Sequence, residues 1–328
     1  MPRRLVSLFA VLAVTALVLV TAEPRAGATT GPIDLLAGQS ADVGDVTVQS
    51  DGTRVRLLTR TDGACIAGLH AAVAGSPQLI PQTKRGNAIP GRFPVAREYT
   101  PCTTEAEVFV PLSGIPGYVP GQPIYVAVHA DVVMPTGETD SAWAEGTGFP
   151  GANWSSYTDV ALLPTVLTFD EATLADGAEQ PVAAGYGGLA WDQVGIYNPN
   201  GVWGYAVKSE SNLAFIAEAS TFEVAGYPSP AGSPALIEGD MAFVGAWFSA
   251  AQRDDLPVTV SAYDDGVLVG RQVISVDRNG PTWFGFDDAN DGQRFESIDR
   301  LEINANDSDP TTWDYFGLDD LTFFPGLD

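Results

Sequence analysis

The chain has 328 residues and a formal net charge of −25, from 41 Asp and Glu residues against 16 Lys and Arg residues. A surface this acidic repels phosphate backbones and anionic lipid headgroups. We therefore expect neither nucleic-acid binding nor docking on an anionic membrane. It favours solubility and divalent cations that take carboxylate oxygens as ligands.

The first 28 residues have the pattern of a secretory signal peptide. Arg3 and Arg4 form a basic start, residues 5–22 are an apolar run, and the small residues 26–28 provide a cleavage site. The alternative is an uncleaved signal anchor, because the run is long enough to span a bilayer. We expect cleavage, a secreted extracellular chain, and no membrane insertion of the mature protein.

After the signal peptide, short runs rich in Val, Ile, Thr, Phe and Tyr recur between Gly, Pro, Asn and Asp residues. Their alternation predicts half-buried strands rather than helices. Two Asp- and Gly-containing stretches, residues 50–52 and 264–266, predict hairpin turns. Representative runs lie at residues 45–49, 53–58, 106–110, 123–130 and 257–263.

Two cysteines, Cys65 and Cys102, are present in a chain that we expect to be exported. An even pair of cysteines in an oxidising compartment predicts one disulfide. Two alternatives stay open: a pair of buried thiols, or a metal pair with His70. Two cysteines and one histidine do not complete a closed zinc site.

Three motifs follow in the first half of the mature chain. Residues 80–94 read IPQTKRGNAIPGRFP, residues 125–130 read YVAVHA, and residues 149–157 read FPGANWSSY. Together they resemble an uncharacterised module of bacterial and archaeal secreted and surface proteins, with the patterns IPxTxxGNxIPGxF, YVAxHA and FxGxNWxxY. The resemblance implies an extracellular β-sandwich. The chain departs from it at residues 67–68, where Glu-Thr usually precedes the histidine.

His70, His129 and Glu138 are candidates for one cluster at an end of this sandwich, as a metal or acid/base site. The alternative is that His129, which lies in an alternating strand, is half-buried and makes one hydrogen bond. Neither a third ligand nor a nucleophile has motif spacing, so the pattern favours this second interpretation.

The density of acidic residues rises after a boundary near residues 159–166. Residues 166–328 carry 27 acidic residues against 6 basic ones. We predict an all-β protein with two tandem β-sandwich, jelly-roll-like domains after the signal peptide. The domains are the signal peptide at 1–28, a β-sandwich of unknown function at 29–165, and an acidic, galactose-binding-like β-sandwich at 166–328.

The second half begins with LTFDE at residues 167–171, continues with GYGGLAW at 185–191, and ends with GLDDLTF at 317–323. These motifs resemble the jelly-roll ectodomains of bacterial proteins with a short C-terminal Pro-Glu-Pro sorting signal (PEP-CTERM-type) and of related secreted proteins. They also resemble galactose-binding-like carbohydrate modules at the level of fold. The sorting helix of that family does not follow, so we expect free secretion.

Aromatic residues cluster around the turn at residues 198–201. Exposed aromatic rings on a loop offer a stacking surface for a sugar, with polar groups beside them for the hydroxyls. The sequence therefore predicts a site for a polysaccharide or cell-surface glycan, and the alternative is that the rings fill a core. The predicted ligand-binding residues are Tyr197, Trp203, Tyr205, Asn198 and Asp192. We assign Trp191 to the core.

The first and last strands of a jelly roll lie side by side, which would gather four carboxylates. They are those of Asp170, Glu171, Asp319 and Asp320. Clustered carboxylates repel one another unless they are protonated or bridged by a cation, and Ca²⁺ takes six to eight oxygen ligands. The sequence predicts a structural calcium ion there, and the alternative is a solvated acidic face.

No catalytic residues are predicted. The chain has no G-x-S-x-G elbow, no H-E-x-x-H and no Walker loop. We expect a non-catalytic extracellular protein that recognises a glycan or a surface. The alternatives are a structural cell-surface or matrix component without a small ligand, and a hydrolase with an unrecognised carboxylate site.

Overall fold

The computed structural model describes residues 31–119, 121–200, 205–216, 223–224, 227–228, 234–285, 295, 297–305 and 315–327. The predicted signal peptide and Trp203 lie outside these ranges. Within them the regular structure is almost entirely antiparallel strand, with helical turns of three residues, so the all-β prediction is confirmed. No helix in these ranges has the length and apolar character to cross a membrane.

The first sheet has ten strands, in the order β5-β4-β7-β8-β1-β2-β3-β6, with β10 beside β7 and β9 beside β10. The strands are β1 (Ile33–Ala37), β2 (Ala41–Ser50), β3 (Arg54–Thr61), β4 (Cys65–Ala74), β5 (Val95–Thr103), β6 (Glu105–Pro111), β7 (Ile124–Val133), β8 (Thr139–Ala144), β9 (Thr147–Gly148) and β10 (Ser156–Val160). Three-residue helical turns lie at Pro77–Leu79, Pro90–Arg92 and Leu112–Gly114.

The first sheet buries apolar side chains on both faces. On one face, Leu69 of β4 and Val108 of β6 belong to the same buried cluster, although these strands are far apart in the sheet order. The sheet therefore curls over this cluster as a sandwich. The opposite face of β4, β7 and β8 carries a second cluster, covered from residues 80–93 and 149–157. Its buried members are Ala72, Ala74, Ile80, Ala88, Phe93, Ala127, Trp143 and Phe149.

The second sheet has eleven strands, in the order β12-β14-β15-β23-β18-β22-β19-β20, with β11 beside β23 and with β13 and β21 beside β18. The strands are β11 (Thr165–Leu167), β12 (Glu179–Pro181), β13 (Ala190–Asp192), β14 (Val194–Tyr197), β15 (Leu213–Ile216), β18 (Ala235–Ala250), β19 (Leu256–Asp264), β20 (Val267–Val276), β21 (Thr282–Gly285), β22 (Ile298–Ala305) and β23 (Phe316–Pro325). A separate pair is formed by β16 (Glu223–Val224) and β17 (Tyr227–Pro228), and a helical turn lies at Tyr186–Gly188.

Side chains alternate between two faces of the second sheet, because successive residues of a strand point to opposite sides. In β18, Ala246, Phe248 and Ala250 enter the main buried cluster of this sheet. Trp247 and Ser249 therefore point to the other side, which we call the outer face. The outer face is the part of the second sheet that concerns function.

Both predicted hairpins are confirmed. β2 and β3 pair around residues 51–53, with Ser50 opposite Val55, and β19 and β20 pair with Asp264 opposite Val267. The first of these turns also touches the second sheet. Gly52 has a φ of +83°, and a Cβ there would overlap the Phe324 ring. Glycine satisfies both demands, because it adopts positive φ and leaves room for a close approach.

Candidate functional site

The expected glycan platform is largely buried. Tyr197 is 7% exposed and packs with Leu213, Phe215 and Tyr315 in a small apolar cluster on the outer face. Tyr205 packs edge-on against it, with ring centroids 5.7 Å apart. Burial raises the pKa of the Tyr205 hydroxyl far above its usual range. The structure therefore differs from the expectation of exposed rings, because the segment that carries Tyr205 folds back onto β14 and β15.

The two predicted polar partners have other surroundings. Asn198 is buried, and its amide nitrogen donates to the Leu174 carbonyl at 3.1 Å. Its Oδ1 accepts from the backbone N–H of Asn200 at 3.0 Å, so this side chain holds the turn. Asp192 is exposed on β13, which pairs with β18, whereas Tyr197 lies on β14 between β12 and β15. Trp203 lies outside the described residues.

Trp191 packs against the main cluster of the second sheet, as predicted. Its ring makes an edge contact with Phe169 at 5.8 Å between centroids. Its indole N–H donates to the Tyr186 carbonyl at 2.9 Å. The half-buried indole thus has the hydrogen-bond partner that a tryptophan in a core requires.

The first and last strands of the second sheet do lie together, since β11 pairs with β23. Asp319 of β23 is buried and accepts four hydrogen bonds. Its Oδ2 accepts from the backbone N–H groups of Lys208 at 2.7 Å and Ser209 at 2.9 Å. Its Oδ1 accepts from Ser209 Oγ at 2.9 Å and the Asp320 N–H at 2.8 Å. Burial raises the pKa of Asp319, although these hydrogen bonds oppose the rise. Through its hydrogen bonds to Lys208 and Ser209, this carboxylate holds the 205–211 segment against the sheet.

Two other members of the predicted calcium set are also engaged as acceptors. Asp170 Oδ1 accepts from the backbone N–H groups of Ser211 and Asn212, both at 2.9 Å. Glu171 accepts from the Tyr186 hydroxyl at 2.7 Å. Within the described part of the chain, the four carboxylates do not form a set of three with ligand atoms inside 4.8 Å. The calcium ion stays a prediction.

A shallow polar pocket of about 230 Å³ lies beside Asp170. The Asn212 amide nitrogen donates to the carbonyls of Phe169 at 3.1 Å and Ala172 at 2.7 Å. Two carbonyl acceptors at this atom distinguish the nitrogen of the amide from its oxygen. The buried Oδ1 of Asn212 has no hydrogen-bond partner. The polar lining consists of Asp170, Thr173, Asn198, Glu210, Ser211 and Asn212. The pocket therefore offers oxygen ligands of the kind that Ca²⁺ takes.

Two tryptophans that were not predicted as site residues form a pair on the outer face. Trp247 of β18 stands directly opposite Trp283 of β21, with ring centroids 5.5 Å apart and ring planes at 58°. Trp283 is 42% exposed, and the Lys208 ammonium lies 4.5 Å from the Trp247 ring centroid. A Cβ on either Gly245 or Gly285 would overlap the Trp283 indole. The ring therefore packs directly on the backbone of these two glycines.

Local sequence places these rings on the outer face. Phe248 and Ala246 flank Trp247 and enter the core, and Phe284 next to Trp283 does the same. The alternation of apolar side chains along each strand therefore indicates, from sequence alone, that both tryptophans point away from the core. The pairing of strands 36 residues apart, which puts the two rings together, has no local signature.

The two histidines stand opposite each other on β4 and β7. His129 is buried, its Nε2 lies 2.7 Å from Ser141 Oγ, and its ring meets Trp143 at 5.0 Å between centroids. Burial lowers the pKa of His129, and the nearby Asp131 charge opposes that shift. Glu138 is not with them, because it is exposed on the β7–β8 turn. The candidate trio is therefore not assembled, and Asp131, rather than Glu138, is the carboxylate near the histidines. The favoured interpretation agrees with the single hydrogen-bonding contact between His129 and Ser141.

The predicted disulfide is confirmed. Cys65 at the start of β4 is bonded to Cys102 near the end of β5, with Cα atoms 5.6 Å apart. Both alternatives for the cysteines are thereby removed.

Comparison with known proteins gives no family. No family model matches the chain, and no curated protein matches it. Among solved structures, allantoicase from Saccharomyces cerevisiae is similar over 90% of this chain and 83% of its own, at 10% identity and a TM-score of 0.23. The insecticidal delta-endotoxin Cry8Ea1 from Bacillus thuringiensis is similar over 90% of this chain and 52% of its own, at 8% identity and a TM-score of 0.20.

Proposed function

We propose that the protein is a secreted, non-catalytic recognition module that binds a polysaccharide or cell-surface glycan through Trp247 and Trp283. The observation that carries this proposal is the exposed indole of Trp283 beside Trp247 on the outer face of the second sheet. The Cys65–Cys102 disulfide supports an extracellular location, because disulfides persist in oxidising compartments.

The tryptophan pair has the chemistry that a sugar ring requires. A pyranose presents a face of C–H groups that packs on an indole, and its hydroxyls need a few hydrogen-bonding groups at the edge. Lys208 lies over Trp247 and is exposed. Asp320 lies on the neighbouring strand, within electrostatic reach of Lys208. The Lys208 ammonium therefore borders the aromatic surface and can hydrogen-bond to hydroxyls, with the Asp320 carboxylate within its electrostatic reach.

The carboxylate opposite Trp247 supports binding rather than hydrolysis. A glycosidase needs two free carboxyl groups about 5–10 Å apart across its cleft. Asp319, opposite Trp247 in the sheet, accepts four hydrogen bonds that hold the 205–211 segment. A carboxylate used in this way supports the shape of the site and has no oxygen to spare for proton transfer.

The test is polysaccharide affinity electrophoresis and a glycan array with the natural chain and with Trp283→Ala. We expect retention by at least one polysaccharide, and we expect Trp283→Ala to weaken it. Loss of a central tryptophan from an interface costs about 2 kcal/mol, or about thirtyfold in Kd. Because Trp283 lies on the outer face and is 42% exposed, Trp283→Ala should still fold, and its melting temperature is measured alongside retention.

A matched control exists in the first sheet. Phe109 is 40% exposed, close to the 42% of Trp283, and the Arg54 guanidinium lies 4.4 Å from its ring as Lys208 does from Trp247. Phe109→Ala should leave retention unchanged. No retention by any polysaccharide, or retention that Trp283→Ala and Trp247→Ala both leave intact, would contradict the proposal.

A further inference from the structure

We propose that His70, His129 and Asp131 form a site for a divalent transition-metal ion such as Zn²⁺, independent of the glycan platform. One ligand atom from each of these side chains can be chosen so that all three lie within 4.8 Å of one another. Elsewhere in the described ranges, His, Cys and carboxylate side chains do not gather in this way.

Strand register builds the cluster. His70 on β4 pairs directly with His129 on β7, and Asp131 follows two residues later, so its side chain leaves the same face of the sheet. The residue opposite Asp131 on β4 is Gly68, which has no side chain. The His70 Nε2 and the Asp131 Oδ2 are 3.9 Å apart.

The bare backbone of Gly68 leaves a space between two carboxylates. Gly68 also pairs with Glu98 on β5. A Cβ on Gly68 would stand 3.0 Å from Asp131 Oδ2 and 3.4 Å from Glu98 Oε2. Asp131 and Glu98 thus approach the glycine from the two strands that flank β4.

The imidazoles have nitrogen atoms without partners. The Nδ1 atoms of His70 and His129 are both buried and make no hydrogen bond. A buried polar atom left unsatisfied costs about 1–3 kcal/mol, and a bound ion would supply a partner for the Nδ1 of His129. Ser141 Oγ lies 2.7 Å from His129 Nε2. When His129 Nε2–H donates to this hydroxyl, the Nδ1 lone pair is free for a metal ion, as in metal-bound histidines whose other nitrogen is held by an outer partner.

The donor set selects the class of metal. Imidazole nitrogens suit zinc, copper, nickel and iron, whereas Ca²⁺ and Mg²⁺ take oxygen ligands. Zinc bonds to nitrogen and oxygen are about 2.0–2.2 Å long, so the ligands must draw together around the ion. The Asp131 side chain is about half exposed and can rotate inward, while the strand pairing holds the histidines.

The test is calorimetric titration of the metal-free full chain with Zn²⁺, in about 0.15 M salt to screen the acidic surface and with excess Ca²⁺ to occupy carboxylate-only sites. We expect one Zn²⁺ per chain. Asp131→Asn and His70→Gln should each weaken binding by at least about tenfold. Gly68→Ala should weaken it too, because its methyl group fills the space between the carboxylates.

Glu138→Gln is the matched control, since it removes an exposed carboxylate from the adjacent turn and should leave Zn²⁺ binding unchanged. Co²⁺ bound to the natural chain should give visible d–d absorption bands of nitrogen ligation, a readout that needs no variant to fold. The proposal is overturned if Zn²⁺ does not bind in the presence of Ca²⁺. It is equally overturned if Asp131→Asn and His70→Gln both bind Zn²⁺ as the natural chain does.

Discussion

Asp51 is a buried carboxylate whose hydrogen bonds are completed within its own turn. Its Oδ1 accepts from the backbone N–H groups of Thr53 and Arg54, both at 2.9 Å, and from Thr53 Oγ1 at 2.8 Å. Its Oδ2 accepts from Arg54 Nε at 2.8 Å. Burial alone would raise the pKa of Asp51, but these hydrogen bonds outweigh burial and lower it below its usual value. The ionised form therefore stabilises the β2–β3 hairpin.

We predict that Asp51→Asn destabilises the protein by about 1–3 kcal/mol at neutral pH, because a charged acceptor beside Arg54 is lost. A carboxyl group with a lowered folded-state pKa contributes its stability above the unfolded-state pKa, near 3.9, and loses it as the pH falls through the folded-state value. The difference between the natural chain and Asp51→Asn in urea unfolding should therefore shrink below about pH 4.

Asp45→Asn is the control for this measurement, since Asp45 is exposed on the same hairpin. It should change the free energy of unfolding little at any pH. A loss in Asp51→Asn that is the same at pH 7 and in acid would show that its ionisation does not contribute.

At the scale of elements, we expect the disulfide to contribute to holding β5 in the sheet. This strand lies at one edge of the first sheet, where it pairs with β4. Its side chains are mostly exposed, so burial of apolar area contributes little to holding it. The Cys65–Cys102 bond joins it covalently to β4 across a sequence separation of 37 residues. The cross-link therefore adds to the partly buried contacts that Val95 and Tyr99 of β5 make with the core.

Replacing both cysteines by serine should lower the free energy of unfolding by about 3–4 kcal/mol, from the chain entropy that the closed loop removes from the unfolded state. The loss should be visible in urea unfolding. Amide hydrogen exchange should show earlier opening of β5 than of β2 and β3. If β5 stayed as protected as the central strands in the double serine variant, its contacts with β4 would suffice to hold it.

At the scale of the whole molecule, the first and last strands of the second sheet in chain order lie side by side. β11 and β23 pair, and Asp320 of β23 has a pKa raised by burial and by the charge of Asp170. The pocket beside Asp170 contains the unpartnered oxygen of Asn212. A cation bound there would offset the repulsion between these carboxylates where the chain begins and ends the sheet.

We predict that Ca²⁺ raises the melting temperature of the full chain, and that EDTA reverses the rise. Binding to the folded state alone stabilises by about 2.7 kcal/mol when the free ion is at about one hundred times its Kd. Asp170→Asn should remove the Ca²⁺ dependence, and Asp192→Asn, an exposed acid on β13, should not. A melting temperature that Ca²⁺ and EDTA leave unchanged would rule out the structural calcium.

The sequence by itself determined the strands, the two hairpins and the disulfide, because these follow from local periodicity and composition. Alternating apolar residues specify strands, Asp-Gly stretches specify the two hairpins, and one pair of cysteines specifies the disulfide. The alternation also indicates that Trp191 faces a core. Each of these depends on neighbours within a few residues of one another, or on a pairing without competitors.

Tertiary structure decided which of the remaining polar and aromatic residues meet. Tyr197 and Trp283 both point to the outer face of the second sheet, away from the main core. The 205–211 segment covers Tyr197, whereas Trp283 is exposed. Asp131 joins His70 because β4 and β7 pair in one particular register, and a shift of one residue would turn its side chain to the other face. Strand periodicity is local, whereas strand pairing joins residues far apart in the chain, so only the folded sheet reveals the site.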